Sequence, residues 1–143
     1  MIRVPAVVDT HVVVAGLLTS DAAAPTRRIL DGMLDGRLPF LLSIDLLVEY
    51  RVVLLRPAIR RRHALTASEV DAILARLVAN ALVREPASAG DRHLWALLRT
   101  QPGAILVTGD ALLRLRPPAG FSALSPAAFA RLIEARQPRR RRE

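Results

Sequence analysis

Cysteine and lysine are both absent from this chain of 143 residues. The lack of cysteine excludes disulfides, thiol nucleophiles and cysteine-based zinc sites, and it is compatible with a reducing cytoplasm. The lack of lysine excludes Walker-type phosphate binding, Schiff-base catalysis and any phosphatase scheme that needs a lysine. The chemistry therefore has to come from carboxylates, hydroxyls, histidine or arginine.

Aromatic residues and long apolar runs are also scarce. Only 3% of the residues are aromatic, so base stacking on aromatic rings is not a major binding mode. No stretch approaches the ~18 apolar residues of a membrane span. Asp9 and His11 interrupt the apolar start of the chain, where a secretory signal needs an unbroken run. We expect one cytoplasmic domain without a membrane segment.

The net charge is +8, and all 21 basic residues are arginine. This surplus suits a polyanionic partner, although a codon bias toward arginine would also produce it. Two arginine runs, Arg60–Arg62 and 139–142, are candidate phosphate contacts. For the second run, a solvated and disordered tail is the preferred interpretation.

Short apolar strands alternate with helical segments along the chain. This alternation predicts βαβ units and a central, mostly parallel sheet of four to five strands, covered by helices on both faces. Strands are predicted at Val4–Val8, Leu38–Leu42, Leu82–Arg84, Ala104–Thr108 and Phe121–Leu124. Helices are predicted around 12–18, 26–36, 44–55, 66–82, 91–99 and 126–135, with 60–62 as a charged connector.

Two acids directly follow apolar strands. Asp9 comes after the first strand, and Asp110 follows the run Ala104–Gly109. Ligands bind at the carboxyl edge of open α/β sheets, so this placement points both acids at a site. Clustered carboxylates repel one another unless a cation lies between them, and oxygen ligands suit Mg²⁺ or Mn²⁺. Either aspartate could instead be only a turn residue or a helix cap.

Two further acids open or occupy helices. Glu49 lies in the nearly apolar segment Ile44–Leu55, and the residue one turn before it is Asp45, a like charge. A buried acid in this setting needs a partner from elsewhere, either a metal ion or an arginine. Asp91 opens a helix, where a favourable interaction with the helix dipole would explain it equally well.

The four acids stand in a pattern that resembles the PIN-domain nucleases. Its elements are Val-Val-Asp9-Thr-His11, Leu-Leu-Val-Glu49-Tyr, Gly-Asp91-Arg-His-Leu94 and Leu-Val-Thr-Gly-Asp110. More narrowly, it is similar to the PIN-family toxin components of bacterial toxin–antitoxin systems. The resemblance covers about residues 3–135. It implies a three-layer α/β/α sandwich as a nuclease domain over residues 1–135, followed by a basic tail over 136–143.

The resemblance also implies a function. Asp9, Glu49, Asp91 and Asp110 would bind Mg²⁺ or Mn²⁺ and carry out catalysis, with Thr108 and His11 in supporting positions beside them. The reaction would be cleavage of single-stranded RNA by a metal-activated water. An antitoxin protein and a second copy of the chain are the implied protein partners. The apolar stripe of helix 66–82 is expected by default to pack within the chain, and it is also a candidate surface for these partners. Arg60, Arg61 and Arg62 are candidate RNA contacts.

The chain departs from the family pattern at several positions. His11 stands where the family usually has asparagine, and Leu112 where a further acid is common; residues 87–90 are less acidic than usual. One metal site is expected and a second is doubtful. A weakened PIN domain that binds RNA or protein without cutting is therefore the alternative. A phosphoryl-transfer enzyme with Asp9 as nucleophile is disfavoured, because residue 11 is not acidic and lysine is absent.

The three histidines match no zinc-binding spacing. Ordinary structural roles are expected for His63 and His93. His93 lies two residues from Asp91, which places the two side chains on different faces of a helix.

Overall fold

The computed structural model describes residues 4–86, 92–117 and 119–136. Its strands in these ranges are short and follow the order of the sequence prediction: β1 (Ala6–Val8), β2 (Leu41–Leu42), β3 (Leu82–Val83), β4 (Ile105–Val107) and β5 (Ser122–Leu124). The helices are α1 (Thr10–Leu18), α2 (Pro25–Leu34), α3 (Ile44–Leu54), α4 (Pro57–His63), α5 (Ala67–Asn80), α6 (His93–Arg99), α7 (Ala111–Leu115) and α8 (Pro126–Arg136).

All strand pairings are parallel. One sheet has the order β1-β4-β5, and a second pairs β2 with β3. A parallel bridge between Ala6 and Phe40 joins the two, which gives the continuous order β3-β2-β1-β4-β5. The predicted α/β/α class with a parallel sheet of up to five strands is confirmed.

The centre of the sheet is the most buried part of the fold. All three residues of β1 are inaccessible to solvent, as are Leu106 and Val107 of β4. Helix α6 packs against β1, β2 and β4, and Phe129 of α8 is also fully buried. Strands that are buried on both faces have apolar sequences, as these do. The residues that directly follow the carboxyl ends of β1 and β4 are therefore attached to a well-packed part of the sheet.

Local capping explains where two helices begin. Ser43 accepts a hydrogen bond from the Leu46 N–H at 3.1 Å and so caps α3. The predicted capping box of α5 is confirmed, because the Thr66 hydroxyl accepts from the Glu69 N–H at 3.1 Å and Glu69 accepts from the Thr66 N–H at 3.0 Å.

The prediction of a charged connector at 60–62 is wrong, because these residues lie inside helix α4. Pro57 occupies its first turn, where proline is favourable, and Ala64 ends it in the left-handed conformation at φ 59°. His63 has the expected structural role: its Nε2 donates to the Leu54 carbonyl at 2.8 Å, and its Nδ1 accepts from the Leu65 N–H at 2.9 Å.

Helix α7 was not predicted. It is a single short turn that begins because Asp110 caps it, and five residues are too few to show helical periodicity. The arginine run at 139–142 and the loop 87–90 lie outside the described residues, and the domain boundaries stay a prediction. None of the described helices is both long and apolar enough to cross a membrane.

Candidate active site

Asp9 lies at the point where the central strand β1 becomes helix α1. Its N–H donates to the Val107 carbonyl at 2.9 Å, which continues the pairing of β1 with β4. Its backbone is extended, and it is the N-cap residue of α1. The side chain is only 7% exposed. A carboxylate this buried needs hydrogen-bond partners.

Both carboxylate oxygens of Asp9 accept such bonds. Oδ1 accepts from the Thr10 N–H at 2.8 Å, and Oδ2 accepts from the Thr108 hydroxyl at 2.7 Å. Thr108 is fully buried, and its hydroxyl oxygen also accepts from the Asp110 N–H at 3.0 Å. Thr108 therefore connects the ends of β1 and β4 and fixes the direction in which the Asp9 carboxylate faces.

Glu49 of α3 is brought to the same place by Thr10. The Thr10 hydroxyl donates to Glu49 Oε2, while the Thr10 N–H donates to Asp9. One threonine thus holds two carboxylates that are forty positions apart in the sequence. Such an arrangement arises only from the way α1 and α3 pack together.

The expectation that Glu49 is a buried acid on an apolar helix is wrong. Its side chain is 41% exposed, because α3 is only half-buried: one face packs into the core and another faces solvent. The exposed face includes Ile44, Val48 and Val52. The partners of Glu49 in the described residues are the Thr10 hydroxyl and a histidine, with no arginine among them.

That histidine is His93, at the start of α6. Its Nε2 lies 3.5 Å from Glu49 Oε1, and its Nδ1 is buried without a hydrogen-bond partner among the described residues. No pattern along the chain predicted that His93 lies next to Glu49. The spacing between Asp91 and His93 predicts only which residues are neighbours within one helix, whereas the contact of His93 with Glu49 joins α6 to α3.

Tyr50 was also missed, although it is adjacent to Glu49 in the sequence. It is fully buried, and its hydroxyl donates to the carbonyl of Val8, the residue before Asp9. Burial raises the pKa of Tyr50 well above its usual value, and the negative charges of Asp9 and Glu49 raise it further. Both carboxylates therefore act on the same phenol. A lone tyrosine in an apolar chain was the available signal, since a buried phenol needs a partner.

Asp110 follows β4 as predicted. Its carboxylate caps helix α7, which is the alternative role that we allowed for it from the sequence. Oδ1 accepts from the Leu112 N–H at 2.9 Å and from the Leu113 N–H at 3.4 Å. Leu112 itself is exposed. Asp110 is linked to Asp9 through the hydroxyl of Thr108.

The remaining predicted residues lie in different places. Asp91 is outside the described residues. His11 is exposed on α1 and lines a groove together with Arg62 of α4. Arg60 and Arg61 are exposed on the same helix and line a separate hollow.

The chemistry of the donor set fits a hard divalent cation. Over residues 4–86, 92–117 and 119–136, no three His, Asp or Glu side chains are grouped closely enough to hold a metal ion by themselves. The described site supplies two carboxylates, Asp9 and Glu49. Mg²⁺ is often bound by one or two carboxylates, with water and substrate phosphates as its other ligands. Asp9 and Glu49 fit that requirement.

Comparison with known proteins agrees with this chemistry. The sequence model of the PIN domain matches residues 5–112, and no curated protein matches the chain. PIN domains are generally nucleases, and they typically use divalent metal ions. The match runs from the start of β1 into α7 and covers well over half of the sequence, so the chain belongs to the PIN-domain family.

Proposed function

We propose that this protein is a metal-dependent endoribonuclease that cleaves single-stranded RNA with an activated water molecule. The observation that carries the proposal is the double role of Thr10, which holds the Asp9 and Glu49 carboxylates side by side. Neither carboxylate has an arginine partner among the described residues, so their charge is available to a cation. Asp91 and Asp110 complete the proposed ligand set.

The two threonines of the site have roles that follow from their contacts. A bound Mg²⁺ or Mn²⁺ supplies activation of water and neutralises charge at the scissile phosphate. Thr108 and Thr10 fix the orientation of Asp9 through both of its carboxylate oxygens. Hydrogen-bonded supports of this kind are typical of metal sites, since they keep the ligands in position before the ion binds.

The proposed biological role is that of the toxin in a type II toxin–antitoxin pair, acting in the cytoplasm as a homodimer with an antitoxin partner. The family membership supports this role only in general terms, and the narrower resemblance carries the rest. An adjacent small gene that encodes an antitoxin-like protein is the expected genomic context. Growth arrest on expression of the chain, relieved by co-expression of that neighbour, would test the pairing.

Cleavage of a mixed pool of single-stranded RNA by the purified protein tests the catalytic proposal. We expect cutting with Mn²⁺ or Mg²⁺, no cutting in EDTA, and loss of cutting in Asp9→Asn. Asp71→Asn is the matched control, because it makes the same chemical change at an exposed ion pair with Arg51 on α3. Cutting that persists in EDTA and in Asp9→Asn would place the activity elsewhere and refute the proposal.

A second candidate function is a PIN domain with weakened catalysis that binds RNA or a protein without cutting. The capping role of Asp110 favours it, because that carboxylate oxygen is already engaged by the start of α7. Leu112 and His11 are both exposed and offer no further acid at the site. Folded wild-type protein that cuts no RNA with either metal would support this candidate, as would a sharp gain in cutting in His11→Asn.

A further inference from the structure

A groove runs between α1 and α4. Its α1 wall is formed by side chains at helical spacing, so they share one face of the helix. It encloses about 390 Å³, within the range of roughly 300–1,000 Å³ that is usual for ligand sites. We call this feature the α1/α4 groove. The residues that line it and enter the argument are His11, Val14, Ala15, Leu18, Ile59 and Arg62.

The walls of the α1/α4 groove have no acid to balance the arginine. Residues 10–20 and 56–66 contain neither aspartate nor glutamate. Five other arginines are paired with carboxylates: Arg27, Arg28, Arg37, Arg51 and Arg76. Arg62 has no such pair within the part of the chain that the structure describes. An anionic occupant is therefore favoured.

One residue of the groove is the sequence neighbour of the residue that holds the two carboxylates. His11 directly follows Thr10, the residue that bridges Asp9 and Glu49. The Cα atoms of Asp9 and His11 are within about 7 Å, because they are two residues apart. A strand with a phosphate at Asp9 and Glu49 would place its neighbouring nucleotide at the mouth of the groove.

We infer that the α1/α4 groove binds the nucleotide adjacent to the scissile phosphate of a single-stranded RNA. The base lies against Val14, Leu18 and Ile59, and the planar groups of Arg62 and His11 contact the base or its phosphate. Unpaired RNA bases are commonly held by stacking on arginine and histidine planes. This inference rests on the proposed function. It assigns the selection of single strands to the α1/α4 groove, since a paired base cannot enter it.

Binding in the absence of metal separates this subsite from catalysis. The probe is a short fluorescein-labelled uridine oligonucleotide, titrated in EDTA with the full chain and followed by anisotropy. We expect Arg62→Gln to bind at least about fivefold more weakly, as for the loss of one base contact. The slope of log affinity against log salt should fall by about 0.7 if a phosphate contact is lost. Arg37→Gln removes the same charge at a distant ion pair and should bind like wild type.

A second pair of variants tests the groove without changing arginine. Ala15 is exposed in the α1/α4 groove, and Ala75 is exposed on α5, so glutamate is accommodated at either position. Ala15→Glu should weaken binding of the single strand at least about fivefold, whereas Ala75→Glu should not. Wild-type protein should also prefer the single strand to a duplex that contains it.

Each result decides the inference. Wild-type affinity in Arg62→Gln, or equal affinity in Ala15→Glu and Ala75→Glu, would overturn it, as would failure of the wild-type chain to bind the oligonucleotide. Selective loss in both groove variants supports it. If those variants lose binding but the wild-type chain cuts no RNA with Mg²⁺ or Mn²⁺, the subsite stands and the nuclease proposal fails.

Discussion

The carboxylate site and helix α4 treat their charged side chains in opposite ways. Asp9 is buried and receives a hydrogen bond at each carboxylate oxygen. Arg60, Arg61 and Arg62 of α4 are exposed and have no carboxylate partner in the described ranges. Under the proposed function, metal ligands must be held in place, whereas arginines that gather a flexible polyanion need no fixed partner. Hydrogen-bonding partners, rather than charge alone, distinguish the two regions.

Removing the hydroxyl of Thr108 should have the largest effect on the carboxylate site. Thr108→Val deletes the bond to Asp9 and leaves the Asp110 N–H without its acceptor. We expect cleavage to fall about 10- to 100-fold, as for other supports of metal ligands. Stability should fall by about 1–3 kcal/mol, because polar groups are left unpaired. Cleavage rates and urea unfolding measure the two effects.

Thr108→Ser is the matched control for that change, since it keeps the hydroxyl and removes only a methyl group. It should retain most of the cleavage. If Thr108→Val cuts RNA as fast as wild type, then Asp9 does not need to be held, and the contrast with α4 disappears.

The buried phenol of Tyr50 should have the next largest effect, and it should depend on pH. The folded-state pKa of Tyr50 is raised, so its contribution to stability is fully present below the unfolded value of about 10 and is lost as the pH rises from there toward the folded value. Within that window, the free energy of unfolding should fall by up to about 1.4 kcal/mol per pH unit.

Unfolding by urea at a series of pH values above 9 measures this loss. The chain has one tyrosine and neither lysine nor cysteine, so few other groups titrate there. Tyr50→Phe should remove the dependence, and it should cost about 0.5–1.5 kcal/mol at neutral pH through loss of the bond to Val8. A similar fall in stability in Tyr50→Phe above pH 10 would contradict the assignment.

The smallest effect is expected at His93. Like the arginines of α4, its side chain is held less firmly than that of Asp9. Its contact with Glu49 is long, at 3.5 Å, and both side chains are partly exposed. Such pairs contribute about 0.2–1 kcal/mol, so His93→Gln should change cleavage about fivefold or less. Initial rates at saturating RNA measure the change. A loss beyond a hundredfold would instead make His93 a catalytic residue.

Much of the fold was predictable because its signals are local. Buried strands such as β1 and β4 are short apolar runs, and the capping box at Thr66 and Glu69 is a spacing along the chain. The helical state of 60–62 was not predictable from charge, because the cause is Pro57 at the first turn together with Ile59 packing against the core. Helix α7 was too short to show a period.

The amino-acid sequence alone sets which chemical groups are available to the site and which acids directly follow strands. Without cysteine or lysine, the groups that remain for chemistry are carboxylates, hydroxyls, histidines and arginines. Which acids meet depends on how the chain packs: Asp9 and Glu49 share Thr10, while Asp110 caps the helix that follows it. The tertiary structure also placed the Tyr50 hydroxyl on the carbonyl of Val8 and brought Arg62 and His11 to one groove. Except for the Asp110 cap, these contacts join elements that are distant along the chain, and only the packing of helices and strands brings such elements together.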